Sequence, residues 1–366
     1  MNMKKTTKYL CTLIAAVAFI ALLVFLESNK NKYGMAVTVL QKGFILAVVA
    51  VSMNLLNGFT GLFSLGQAGF MALGAYTYAI FTIPLESRAS VYYISGMHPV
   101  IAGIELPMFL ALIAGGLVAA LFAAVIGFPV LRLKSDYLAI ATLGFSEIIR
   151  ALIASPQMDT ITNGSYGLKS IPAASIYVVI GLCILSIVVM SLLIHSSFGR
   201  AFKAIREDEI AAEAMGINLL KHKELAFVIS SFFAGIGGAL LAMFMRSIDS
   251  STFKIAMTYD ILLIVVIGGM GSITGSVLSA LLVTASKEWW LRFFDEPLTI
   301  AGVNIPLFRN GFRMVIFSIL LMVVVLFYRR GIMGTNEFSW DGCLRLLRSI
   351  PSRIGSLFHK KEAQAK

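Results

Sequence analysis

Charge is scarce in this chain. Only 13% of its 366 residues are Asp, Glu, Lys or Arg, against about 25% in soluble domains. A water-soluble globule is excluded, because 58% hydrophobic residues and a mean hydropathy of +0.87 would leave apolar surface it could not cover. Cysteine is also scarce, and Cys11, Cys183 and Cys343 lie far apart, with neither a zinc spacing nor a disulfide framework. The four histidines, His98, His195, His222 and His359, do not cluster, which argues against a metal site. No Ser/His/Asp arrangement stands in the apolar runs. No G-x-x-x-x-G-K-[ST] phosphate loop is present, so energy for any work must come from a partner or a gradient. Disordered and collagen-like classes fit neither the composition nor the order of residues. Acidic residues are the scarcer sign, 19 against 30 basic, for a net charge of +11. That excess would suit nucleic acid or the cytoplasmic loops of a membrane protein, and its distribution decides between them.

What is abundant is long apolar runs, several of about 18 residues or more, the length at which a helix crosses a bilayer. They fall at about 9–26, 36–56, 61–83, 107–128, 137–154, 173–194, 225–246, 259–290 and 312–328. The first has basic residues before it but no small-residue cleavage site after it, and reads as an uncleaved span. Lys and Arg are uneven between the runs. Residues 1–8, 132–136, 195–224 and 329–366 hold three, two, five and eight, 18 in all, whereas the alternating loops 27–35, 84–106, 155–172, 247–258 and 285–311 hold eight. The richer side is expected to be cytoplasmic. Both termini then lie there only if 259–290, interrupted at Gly268, Gly269 and Gly271, turns back as a re-entrant pair. The sequence thus predicts an all-α polytopic membrane protein of about ten membrane elements, some Gly-broken. The positive charge becomes a topology signal, and nucleic acid drops out as a partner.

A weak internal repeat supports the turn-back. Residues 53–75 and 261–283 each read as an apolar run, a glycine-rich break with a serine, then a helix rich in small residues. Paired Gly-interrupted segments in two halves point to a transporter's site. Broken helices expose backbone N–H and C=O groups to a polar solute, which is tolerable only against protein or water. The expected solute path therefore combines Gly58, Gly61, Ser64, Gly66 and Gln67 with Gly268, Gly269, Gly271, Ser272 and Gly275. The plain alternative is that these glycines only allow close helix packing.

The largest polar loop, 195–224, reads as one helix, capped by Ser196 or Ser197 and ended by Gly216 and Asn218. It is too short and polar to span, and suits either solvent or a partner's groove. Glu147 and Arg150 stand at i and i+3 near mid-span, costly there unless paired or used. Lys42 is expected to snorkel to the outer interface, Asp260 to start the re-entrant stretch, and Trp289-Trp290 to join an aromatic belt. After Gly334, Trp340, Cys343, Leu344, Leu347 and Ile350 follow helical spacing beside Arg345, Arg348 and Arg353, a basic amphipathic tail suited to the inner leaflet's lipid.

Four ordered segments resemble one family. Residues 54–76 (N-L-L-N-G-F-T-G-L-F-S-L-G-Q-A-G-F-M-A-L-G-A-Y), 162–168 (T-N-G-S-Y-G-L), 199–218 (G-R-A-F-K-A-I-R-E-D-E-I-A-A-E-A-M-G-I-N) and 266–276 (V-I-G-G-M-G-S-I-T-G-S) are similar to the M-type permease subunits of branched-chain amino-acid ABC importers. The resemblance covers roughly 36–334 and departs at Ser276, Ser279 and Arg330. It implies a permease domain over 36–334, an N-terminal span and outer loop over 1–35, and a tail over 335–366. It further implies a coupling loop with Gly199, Arg200, Arg206, Glu207, Glu209, Glu213 and Gly216 facing the ATPase. The implied partners are two ATP-binding cassette subunits, a second permease subunit and a periplasmic binding protein. The implied location is the bacterial inner membrane, with no cofactor in this chain and no catalysis by it. Another solute, such as urea or a different amino acid, and a self-sufficient secondary transporter remain the alternatives.

Overall fold

The computed structural model describes residues 5–94, 96–133, 135–291, 299–300, 303–304, 315–319, 322, 326 and 331–337. Its helices are α1 (Lys5–Ser28), α2 (Lys30–Asn54), α3 (Gln67–Thr82), α4 (Leu85–Val91), α5 (Pro99–Ala102), α6 (Met108–Val130), α7 (Ser135–Ile153), α8 (Asp159–Thr162), α9 (Ile176–His195), α10 (Ser197–Glu207), α11 (Glu209–Ala214), α12 (Leu219–Met245), α13 (Ile255–Gly268) and α14 (Ile273–Glu288). A two-residue antiparallel ladder, Thr299–Ile300 with Val303–Asn304, is a small exception to the all-α expectation. Among the described residues, α1, α2 with its continuation to Phe59, α6, α9 and α12 are long and apolar enough to cross a membrane. Counting two bent pairs, α3 with α4 (119°) and Tyr137–Ile153 with Pro156–Thr162 (59°), raises the number to seven. The expected run 312–328 lies mostly outside the described residues, and the expected tail helix wholly so.

The centre is α12, packed on α3, α6 and α2. Small residues bring these backbones together, as membrane helices do in the absence of a hydrophobic driving force. A Cβ at Gly74 of α3 would sit 2.0 Å from the Gly235 carbonyl oxygen of α12, and one at Gly238 would sit 2.0 Å from that of Met71. By contrast, α1 presents Leu10, Leu13, Val17 and Ile20 outward, a surface that suits lipid rather than water.

Three expectations are corrected. The outer loop placed at 27–35 is nearly absent: α2 starts at Lys30, with only Tyr33 leaving helical geometry inside it. The loop 195–224 holds two short helices rather than one. Asp208 is extended (φ −159°, ψ 111°), and its carboxylate accepts from the N–H of Ile210 and Ala211 at 2.9 and 3.1 Å. An Asp that caps the next helix must itself be non-helical. Third, α13 begins at Ile255, so Asp260 stands inside it rather than at its start.

Candidate functional site

The repeat's two breaks meet. Past Asn54 the chain widens into a π turn, Leu55–Phe59, whose end is held by Thr60 Oγ1 donating to the Leu55 carbonyl at 2.9 Å. Such turns recur at functional sites. The second break, between α13 and α14, lies directly against it. Asn54 is fully buried and ties the two together. Its Nδ2 donates to the Ser272 carbonyl at 2.9 Å and Ser276 Oγ at 2.8 Å, and its Oδ1 accepts from the Gly271 N–H at 2.9 Å. Gly58 must be glycine here, since a Cβ would lie 1.8 Å from Asn54 Oδ1 and 2.5 Å from the Gly271 nitrogen.

The C-terminal end of the described chain completes this joint. Ile332 and Met333 N–H groups donate to the Ile267 and Gly268 carbonyls at 2.7 and 3.1 Å, satisfying acceptors that a helix end leaves free. Glu337 accepts from the Ile273 and Thr274 N–H groups at 2.7 and 3.1 Å and from Thr274 Oγ1 at 2.6 Å. A carboxylate there also meets the positive end of α14. Ser272 Oγ donates to the Asn336 carbonyl at 2.9 Å. The packed body therefore runs past Gly334, beyond the boundary expected from sequence.

The loop helix α10 sits on the same joint. Arg206 Nη1 donates to the Gly58 carbonyl at 2.8 Å, and a Cβ at Gly271 would be 3.0 Å from that same nitrogen. Gly61, at φ +77°, lies so close that a Cβ would be 3.2 Å from Arg206 Cα. Lys203 Nζ lies over the Phe59 ring at 5.5 Å from its centroid. The ion pair Lys223–Glu209 at 2.7 Å fixes α11 to α12, and Arg206 also pairs with Glu207. Gly199 is buried at the α9–α10 corner, while Arg200 is exposed and bonded to Ser197 Oγ at 3.0 Å. Gly216, at φ +86°, ends α11. Around Glu213, Ile210 and Met215 are 82% and 84% exposed, two large apolar side chains displayed on a polar element.

The expected path residues are therefore brought together, but chiefly as a joint rather than as an open lining. Gln67 is buried and donates to Ser52 and Ser230 hydroxyls at 3.0 and 3.1 Å, bridging α2 and α12. Ser64 closes a loop with Asn57 through bonds of 3.1 and 3.3 Å. Gly66 backs onto Thr142 of α7. Gly268 and Gly275 face each other, with a Cβ on either within 2.5 Å of the other's carbonyl oxygen, and Gly269 abuts Gly334. Within the two breaks themselves, Gly61, Phe63 and Met270 are exposed.

Glu147 and Arg150 pair with each other at 2.7 Å within α7, both about a quarter exposed. Among the described residues no ion pair joins them to a second helix. Lys42 does not only snorkel: it bonds Glu288 of α14 at 2.5 Å, and Asp260 pairs with Lys287 at 2.7 Å. The 162–168 segment forms a clasp of its own. Asn163, left-handed at φ 55°, donates from Nδ2 to the Val91 and Gly167 carbonyls at 3.1 and 2.7 Å, and Leu168 bridges to Ile248. Beside it the Asp249 carboxylate accepts from Ser251 Oγ at 2.5 Å and Thr252 N–H at 2.9 Å, which holds its pKa below the ordinary value. No group of three or more His, Cys, Asp or Glu placed to hold a metal occurs among the described residues.

Sequence reasoning missed Asn54, Asn57, Asn336 and Glu337. Asn54 carried a visible signal, an amide in an apolar run one turn before a glycine. Glu337 carried none.

Apolar crossing helices, two Gly-broken segments joined face to face, and a polar loop helix seated on the joint define a membrane transport subunit. Comparison with known proteins gives the particular family. The chain belongs to the family described as "Branched-chain amino acid transport system / permease component", whose profile matches residues 35–326. It is 32% identical over 293 residues to the high-affinity branched-chain amino acid transport permease LivM of Escherichia coli, covering 70% of this chain and 64% of that protein. It is 23% identical to the probable LivM of Methanocaldococcus jannaschii (77% of this chain, 88% of that one) and 26% identical to the guanosine permease NupQ of Bacillus subtilis (69% and 77%). The chain spans about 64% of the length of the enterobacterial LivM proteins it matches. No solved structure matches it. It is an ABC-transporter permease and a multi-pass inner-membrane protein.

Proposed function

We propose that this chain carries branched-chain amino acids into the cytoplasm as one of two permease subunits. Two ATP-binding cassette subunits drive it, and a periplasmic binding protein supplies the solute. The chain itself makes and breaks no bonds. Both termini and the α10–α11 loop face the cytoplasm, in keeping with the 18-to-8 division of basic residues in the loops, and about ten elements lie in the membrane.

One observation carries the reading: Arg206 of α10 is bonded to Gly58 and lies against Gly271. A push on the loop reaches both helix breaks through one side chain, without crossing the bundle. The ATPase takes hold of α11, where Ile210 and Met215 protrude into its groove. The joint is close-packed, so it passes between discrete arrangements rather than deforming continuously. During that passage the glycine breaks, now closed on each other, part to let the solute by. Low affinity at the breaks is sufficient, because the binding protein selects the solute.

A nucleoside or sugar is the second reading, favoured by relatives named as guanosine and galactofuranose permeases at 26% and 25% identity. Reconstitution with candidate cassette subunits, second permease and binding protein decides between them. Expected is ATP-dependent leucine uptake competed by isoleucine and valine. Competition by guanosine instead would move the assignment, and uptake by the chain alone without ATP would refute it.

A further inference from the structure

A cavity of about 350 Å³ opens between α2, α12, α13 and α14, away from α10. That is within the size range of small-molecule sites, roughly 300–1,000 Å³. Its mouth is set by Lys42, twelve residues or about 18 Å along α2 from Asn54. Its walls are apolar, formed by Leu46, Leu241, Met245, Ile261, Ile264 and Val283. Ile264 stands one turn from Gly268, so the floor of the cavity approaches the joint from the opposite end.

The mouth carries both signs of charge. Lys42 pairs with Glu288 and Lys287 pairs with Asp260, at 2.5 and 2.7 Å, and all four side chains remain partly exposed. Lys254 lies on the same rim, exposed and with no ion-pair partner among the described residues. Lysines that merely snorkel need no carboxylates beside them, and carboxylates near a bilayer are costly. Two lysine–carboxylate pairs and a further lysine around one apolar cavity instead match a ligand that has an ammonium, an anionic group and an aliphatic body. Partly exposed ion pairs are weak, so a ligand can take their place with little loss.

We propose that this cavity is a binding site for an aliphatic zwitterion, an amino acid of leucine's class. The α-ammonium meets Asp260 or Glu288, the α-carboxylate meets Lys254 or Lys42, and the side chain lies against Leu46, Ile261 and Val283. The site rests on the reading that the solute is a branched-chain amino acid, and places a waiting position on the far side of the joint from α10.

The test uses the full chain in phosphatidylcholine nanodiscs, with leucine as the probe and saturation-transfer NMR as the readout. Leucine is expected to give a signal that leucinol, without the carboxylate, and 4-methylpentanoate, without the ammonium, match only about tenfold more weakly. Ala256→Trp, an exposed wall position, fills the cavity and abolishes the leucine signal. The double variant Lys42→Met/Glu288→Met removes one pair without leaving a lone charge and weakens it. No leucine signal in the wild-type chain, or an undiminished one in Ala256→Trp, overturns the proposal. So does a phospholipid that native mass spectrometry finds retained by the wild-type chain and released by Ala256→Trp, which gives the cavity to a zwitterionic headgroup. Leucine uptake by the assembled wild-type complex, measured in parallel, separates the failures. Uptake without cavity binding removes this site alone, whereas absent uptake removes the transport reading.

Discussion

Replacing Asn54 by Ala tests how much the joint depends on one side chain. The residue is fully buried and its amide makes three good bonds across the break, two to Ser272 and Ser276 and one from Gly271. Alanine leaves the Gly271 N–H buried without a partner. The Ser272 carbonyl keeps its bonds from Ser276 and is not orphaned. An orphaned buried donor costs about 1–3 kcal/mol and the two further bonds, to Ser272 and Ser276, about 1 kcal/mol net each, so the expected loss is on the order of 3–5 kcal/mol. At roughly 2–4 °C per kcal/mol, the midpoint drops by about 6–20 °C. The assay is heating of the purified chain in detergent, followed by size-exclusion recovery. Ser90→Ala is the control. It loses one exposed bond, to the Ser87 carbonyl, and should cost about 0.5 kcal/mol or less. A midpoint for Asn54→Ala indistinguishable from wild type, or a larger fall for Ser90→Ala, would refute the reasoning.

Glu337→Gln removes the charged cap of α14 and should lower the same midpoint by a few degrees, for about 1 kcal/mol; an unchanged midpoint would count against the cap. Asp249 has a depressed pKa through its Ser251 and Thr252 hydrogen bonds, so its contribution is present above the ordinary carboxylate range and lost as pH falls through the lowered value. Wild-type and Asp249→Asn melting should therefore differ at neutral pH and converge in acid; a constant gap would count against this. Glu147→Gln should insert and assemble normally but lose uptake, and wild-type uptake would reduce the α7 pair to a structural role.

Much of this was legible in the chain. The apolar runs, the two glycine breaks and their kinship came from periodicity and small-residue clustering, both local signals. The seating of α10 was not legible, because Arg206 and Gly58 are 148 residues apart. Asn54 joins residues more than 200 positions away, and no spacing rule reaches that far. The split of the loop at Asp208 was readable as a cap residue, yet the surrounding alanines and glutamates favour helix on both sides and concealed it. The ion pairs at Lys42 and Asp260 were hidden for a different reason. Each partner alone reads as an interfacial residue, and only the return of α14 beside α2 and α13 brings them together.

The central claim is that α10 transmits its movement to the helix breaks through Arg206. The direct measurement compares wild-type and Arg206→Met complexes in proteoliposomes, recording ATP hydrolysis stimulated by binding protein together with leucine uptake. Expected is hydrolysis near the wild-type rate with uptake reduced about tenfold or more, the scale of a lost coupling contact. Uptake that falls only in proportion to hydrolysis, or does not fall, would contradict it.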